Sequence, residues 1–107
     1  MNFEDLFYIL ALQKIEGVGD IVAKKLINHC GSAKEIFSAK SQQLRSIDGI
    51  GEVLIKNLKE KSAFQKAEAE VKFIEKENIS VIYFKDKNYP ERLKHCIDGP
   101  VLLFQSG

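Results

Sequence analysis

Apolar positions recur at helical spacing over the first three quarters of the chain and at strand spacing only after that. Phe3, Leu6, Phe7 and Leu10, with Ile9 widening the stripe, predict a helix over about residues 3–14, with Asn2 as its N-cap. Gly17-Val18-Gly19 interrupts the pattern. A second helix is expected from Asp20 to about Cys30, stopped by Gly31. Ser32 and Glu35 match a capping box ahead of a short helix, SAKEIFSA, and Ser41 opens another, SQQLRSI. Gly49-Ile50-Gly51 breaks the chain again, and a helix over about residues 52–60 follows. The longest helix is expected over about residues 63–77. Phe64, Ala67, Val71 and Ile74 form its apolar stripe, and Glu68 and Lys72 are spaced to pair on another side.

The period then changes. Ile79-Ser80-Val81-Ile82-Tyr83-Phe84 is β-branched and aromatic, which predicts a strand. Asp86-Lys87-Asn88 turns the chain, Pro90 suits the start of a short helix, PERLKH, and Asp98-Gly99-Pro100 makes a second turn before a strand at Val101-Leu102-Leu103-Phe104. The order β-α-β favours a parallel pair with a right-handed crossover. Two strands alone make a poor sheet, so an α-rich front of about 77 residues is expected to lead into an α/β part that continues past Gly107. The incomplete sheet also predicts self-association through its uncovered edges and apolar face.

The strongest pattern is a repeat. LQKIEGVGDIVAKKL begins at Leu12 and LRSIDGIGEVLIKNL at Leu44, 32 residues later. Leu12, Ile15, Gly17, Gly19, Lys24 and Leu26 meet Leu44, Ile47, Gly49, Gly51, Lys56 and Leu58. One supersecondary unit is therefore used twice. The unit is a helix, a tight glycine–hydrophobic–glycine hairpin and a second helix. Val18 and Ile50 are expected to plug the core, and each second helix starts at the second glycine. The free amides and positive dipole end of such a helix attract anions, a DNA phosphate among them.

This pattern resembles the helix-hairpin-helix family, whose members bind DNA backbone phosphate through the hairpin amides without reading sequence. The resemblance implies phosphate contacts at Gly17, Gly19, Lys24, Lys25, Gly49, Gly51 and Lys56. One departure matters. Asp20 and Glu52 stand where strong DNA-binding hairpins carry Pro or Lys, and Glu16 and Asp48 add negative charge on the other side of each hairpin. A carboxylate there stabilises the helix start and also repels a phosphate. Two readings stay open: the hairpins are folding or protein-contact units with no direct DNA contact, or one or both bind phosphate. Lys14, Lys24, Lys25, Arg45, Lys56, Lys59 and Lys61 lie in or beside the repeats, and some share a face if the repeats pack about a pseudo-two-fold axis.

Composition narrows the classes. Hydrophobic residues make up 45% of the chain and charged residues 29%, enough for a folded core. The formal charge is +1, from 16 basic and 15 acidic residues, so any pull on nucleic acid has to be local. His29-Cys30 and His95-Cys96 do not make a metal site, because adjacent helical residues point about 100° apart and no CxxC or HxxxH spacing supports them. Buried cysteines and partly exposed histidines are the expectation. Gly17-x-Gly19 follows a helix and lacks the third glycine of a dinucleotide loop. No catalytic constellation is present, so neither an enzyme nor a cofactor is expected. The apolar run LFYILAL is far shorter than the roughly 20 residues of a membrane span. Two cysteines and no basic leader suit a cytoplasmic protein.

Tyr89-Pro90-Glu91-Arg92-Leu93, followed by Asp98-Gly99-Pro100-Val101-Leu102-Leu103-Phe104 and ending in Gly107, resembles the DprA/Smf family of DNA-processing proteins. The resemblance implies a tandem helix-hairpin-helix (SAM-like) domain at 1–77 and the beginning of a Rossmann-like α/β domain at 78–107. The fold class is then mainly α, a helix-hairpin-helix bundle followed by a short β-α-β start. The implied role is to bind single-stranded DNA and load RecA in natural transformation, without catalysis, mostly through the Rossmann-like part beyond Gly107. Tyr89 is expected to pack under its turn. Arg92 and Lys94 are expected on a solvated face.

Overall fold

The computed structural model describes residues 3–60, 62–96 and 98–106. Six helices come first: α1 (Phe3–Gln13), α2 (Asp20–Cys30), α3 (Ala33–Ser38), α4 (Ser41–Arg45), α5 (Glu52–Lys59) and α6 (Ser62–Lys76). Strand β1 (Ile79–Tyr83), the one-turn helix α7 (Glu91–Lys94) and strand β2 (Leu102–Ser106) follow. The mainly helical class and the order of elements match the sequence pattern. Asn2, Lys61 and Gly107 lie outside the described residues.

Local chemistry accounts for the helix boundaries. Gly31 ends α2 at φ 102°, a backbone region where a side chain would be strained, and its N–H donates to Ile27 O at 2.7 Å. Ser32 caps α3 by accepting from Glu35 N at 3.3 Å. α4 opens at Ser41 as expected, after the N-cap Lys40, whose N–H donates to Gln43 Oε1 at 3.2 Å. On α6, Lys72 and Glu68 pair at 3.3 Å, as their spacing predicts.

The core runs through both repeats. Leu10, Leu12, Leu26, Ile27, Ile36 and Leu44 are fully buried. α1 packs on α6 and α3, α2 on α3, and α4 on α5. Four rings from α1, α3 and α6 (Phe7, Tyr8, Phe37 and Phe64) close one side of the core, with neighbouring centroids 5.0–6.1 Å apart. Val101 and Leu102 join the same buried cluster, so the strand end is seated on the helices.

The strand pair differs from the expected parallel crossover. β1 and β2 run antiparallel, with Ile79 opposite Ser106 and Tyr83 opposite Leu102. A parallel pair requires the connection to carry the chain back along the whole strand, roughly 17 Å for a typical strand. The connection at 84–101 holds only the single turn of α7 and does not run back along β1. The chain instead folds at the end of β1, where the Asp86 carboxylate accepts from Tyr83 N at 2.8 Å. The hairpin then closes through Phe84 N donating to Val101 O at 2.9 Å. Tyr89 packs under the connection as expected, buried, with its hydroxyl donating to Pro100 O at 2.6 Å.

Candidate nucleic-acid interface

The two hairpins have one backbone. Gly17 and Gly49 take φ values of 93° and 87°. Gly19 and Gly51 are the extended N-caps of α2 and α5. Val18 N donates to Ile15 O at 3.1 Å, and Ile50 N to Ile47 O at 3.2 Å. Ala23 N donates to Gly19 O and Ile55 N to Gly51 O, at 2.9 and 3.1 Å. Val18 and Ile50 are buried, the plugs that the repeat predicts. All four glycines are exposed.

The units pack crosswise. A Cβ on Gly17 would sit 3.5 Å from Leu54 Cδ1 of α5, and a Cβ on Gly49 would sit 3.1 Å from Lys25 Nζ of α2. Asn57, the counterpart of Lys25 in the repeat, donates from Nδ2 to Glu16 O at 3.1 Å. Each hairpin is thus approached by the same position of the other unit's second helix, as a pseudo-two-fold arrangement requires. The approaching group is a neutral amide at the first hairpin and an ammonium at the second.

The acidic residues at the helix starts have partners. Asp20 Oδ1 accepts from Val101 N at 3.0 Å, with a longer contact from Gln13 Nε2 at 3.5 Å. Glu52 takes Arg45 Nε at 2.5 Å and Nη2 at 3.2 Å. Gln13 and Arg45 are again counterparts, so the contact recurs with a cation in the second unit only. The Arg45 guanidinium holds the Glu52 carboxyl below its ordinary value of 4.5. Neither carboxylate is left as a bare charge facing an incoming phosphate.

Placement of the remaining candidates follows the same asymmetry. Lys24 is half-buried, with Nζ 3.4 Å from Cys96 O, whereas its counterpart Lys56 is exposed. Ile21 is 48% exposed and its counterpart Val53 75%, because the segment around Val101 and Cys96 shields the first unit. Lys25 reaches Gly49 of the second hairpin, where Gly51 and, further along α5, Lys56 are also exposed. Lys14 pairs with Glu70 of α6, and Lys59 donates to Ala39 O at 2.7 Å. Lys94 pairs with Glu91 at 3.7 Å, and Arg92 and Lys94 are exposed as expected.

At five matched positions the first unit carries Glu16 and Asp20 against Lys24, with Gln13 and Asn57 neutral. The second carries Arg45, Lys56 and the approaching Lys25 against Asp48 and Glu52. With Lys25 counted at the hairpin it reaches, the formal sum is −1 for the first unit and +1 for the second, while Glu16 also lines the cleft beside Gly51 and Val53. Sequence comparison alone pairs Lys25 with the first hairpin; the crosswise packing moves it to the second. Asn57, Phe84 and the Asp20–Val101 bond escape sequence reading. The repeat alignment could have flagged Asn57 as Lys25's counterpart.

The cysteines depart from expectation. Cys30 is half-buried, with burial and then Glu35 raising its thiol pKa, whereas Cys96 is exposed. Cys96 follows the single turn of α7 on the surface, where its Sγ contacts Arg92 O at 3.5 Å. His29 and His95 are also exposed. Among the described residues no group of His, Cys, Asp and Glu is arranged to hold a metal, and no helix is long and apolar enough to cross a membrane.

Comparison with known proteins agrees with this geometry. The family model for a SAM-like helix-hairpin-helix tandem matches residues 9–63, which covers both hairpins. A DNA ligase of Mycoplasmopsis synoviae is 32% identical over 91 residues, covering 85% of this chain and 13% of the ligase. UvrABC system protein C of Desulfotalea psychrophila is 43% identical over 47 residues, covering 44% of this chain and 8% of that protein. The chain thus spans a small part of the length of these relatives. No solved structure matches it.

Proposed function

Because the chain belongs to the SAM-like helix-hairpin-helix tandem family, we propose that it is the accessory DNA-contacting module of a larger DNA-processing protein, gripping backbone phosphate through its second hairpin. The observation that carries this reading is the Lys25 ammonium set against Gly49, beside the exposed start of α5 and Lys56. A helix start with one ammonium set against its hairpin has the chemistry of a phosphate site, and the exposed Lys56 lies further along α5. Similarity to a DNA ligase supports the same class of ligand.

A DprA/Smf-type context makes this more specific. The motif from Tyr89 to Gly107 supports a chain organised as a helix-hairpin-helix domain at 1–77 and the start of a Rossmann-like domain at 78–107. Its owner would hold single-stranded DNA and load RecA, with no catalysis in this part. The alternative of a purely structural unit suits the first hairpin. There Asp20 fastens the backbone of Val101, so that hairpin positions the strand pair.

Titration of labelled single- and double-stranded oligonucleotides at low and moderate salt tests the proposal. Binding at low salt that weakens steeply with added salt, and weakens again in Lys56→Glu, is expected. Absence of binding at low salt overturns it.

A further inference from the structure

A groove of about 460 Å³ lies beside α2, between its outer face and the segment from Phe84 to Cys96. Lys24, Lys25 and Lys94 line it, with Ile21, Phe84 and Leu93 as an apolar wall. No described carboxylate lines it. The cleft between the two hairpins is the opposite case, lined by Glu16 and by no cation. The nearest acidic groups are already engaged: Glu91 with Lys94 at 3.7 Å, and Asp20 with Val101 N. Lys24 is held in place from two sides, 3.4 Å from Cys96 O and 5.6 Å from the Phe84 ring centroid. In a chain whose formal charge is only +1, Lys24 and Lys25, with Lys94 shared with the exposed Glu91, form a local anion field.

Lys25 belongs to this groove and also reaches Gly49 of the second hairpin. The hairpin phosphate site and the groove are therefore joined by one cation. We infer that the groove takes the next nucleotide of a single strand held at the second hairpin, with its phosphate at Lys24, Lys25 and Lys94 and its unpaired base against Ile21 and Phe84. This rests on the hairpin reading above and adds a preference for single strands. Bases in a duplex are stacked inside the helix and cannot reach an apolar wall, whereas unpaired bases settle on such surfaces.

The experiment is anisotropy titration of the full 107-residue chain with oligo-dT and with a duplex of equal length. Wild type is compared with Phe84→Leu, Lys94→Glu and Lys56→Glu, each checked for folding by circular dichroism. Phe84→Leu keeps an apolar side chain and removes the ring together with its contacts to Lys24 and Tyr83. Phe84→Leu and Lys94→Glu are expected to weaken oligo-dT binding about tenfold and to leave duplex binding unchanged, whereas Lys56→Glu weakens both. If Lys56→Glu weakens binding while Phe84→Leu and Lys94→Glu leave oligo-dT affinity unchanged, the groove is overturned and the hairpin site stands. Equal loss on both ligands in all three variants also overturns the single-strand preference. Failure of wild type to bind either oligonucleotide overturns both readings.

Discussion

In the first hairpin the acidic residue at the helix start is bound to a backbone amide 81 positions away, while in the second its counterpart is bound to an arginine seven positions back. The hydrogen bonds within the two turns are the same, yet the neighbours assign them different work. Asp20 joins the helical bundle to β2, and Asn57 covers the Glu16 carbonyl. Glu52 is neutralised by Arg45, and Lys25 brings a positive charge to Gly49. A duplicated unit has kept its backbone while its side chains have diverged, one copy toward holding structure and the other toward an open, positive surface. Local sequence makes the motif; crosswise packing decides which copy receives the Lys25 ammonium.

The largest effect that sharpens this comparison is on stability. Leu12 and Leu44 are counterparts with no exposed surface. Truncating either to Ala is expected to cost about 2–5 kcal/mol in urea denaturation. Leu12→Ala should cost more, because α1 packs on α6 and α3 and cannot relax freely, whereas the five-residue α4 packs mainly on α5. Equal costs would mean that the two units are equally constrained.

Asp20→Ala leaves the N–H of fully buried Val101 without its partner, which is expected to cost about 1–3 kcal/mol. Glu52→Ala removes an exposed ion pair and a helix-start charge and should shift the denaturation midpoint far less. A drop of similar size in both variants would break the assignment of structural work to the first unit.

Charge at the second hairpin gives a smaller effect, read in binding. Glu52→Lys frees Arg45 and adds a cation, so DNA affinity should rise several-fold, about 1 kcal/mol or less. Asp20→Lys should instead lower stability without a comparable gain in binding. pH acts in the same direction as Glu52→Lys. The folded carboxyl of Glu52 titrates below 4.5, so the stability from its pair is present above that value and is lost as pH falls through the lowered one. Protonation also removes a negative charge from the site, so affinity at low salt should increase on that descent.

The helices, both hairpins and their buried plugs were legible because helix period, caps and the 32-residue repeat are local signals, and they agree with each other. Strand direction was not legible. The order β-α-β does not state the path of the connection, and here Asp86 accepting from Tyr83 N and Phe84 N donating to Val101 O fold it into a hairpin. Exposure of Cys96 was no more legible, since a single surface turn has no inner face to hide it. At the site, the glycines and Lys56 stand where the motif predicts them. The role of Asp20 could not be read, because its partner is a backbone amide 81 positions away and carries no side-chain signature. That Lys25 meets Gly49 of the other unit could not be read, because helical spacing shows which residues share a face and not which neighbour that face meets.

The matched glycines give the most direct test. Gly17→Ala and Gly49→Ala force the same left-handed strain, about 1–2 kcal/mol each, and so lose comparable stability. Only at Gly49 does the added methyl meet Lys25 Nζ, at 3.1 Å, and displace it. Anisotropy titration of both variants with one labelled oligonucleotide at low salt should show weakened binding for Gly49→Ala and wild-type affinity for Gly17→Ala. Equal weakening in the two variants, or greater weakening for Gly17→Ala, would contradict the assignment of the DNA site to the second hairpin.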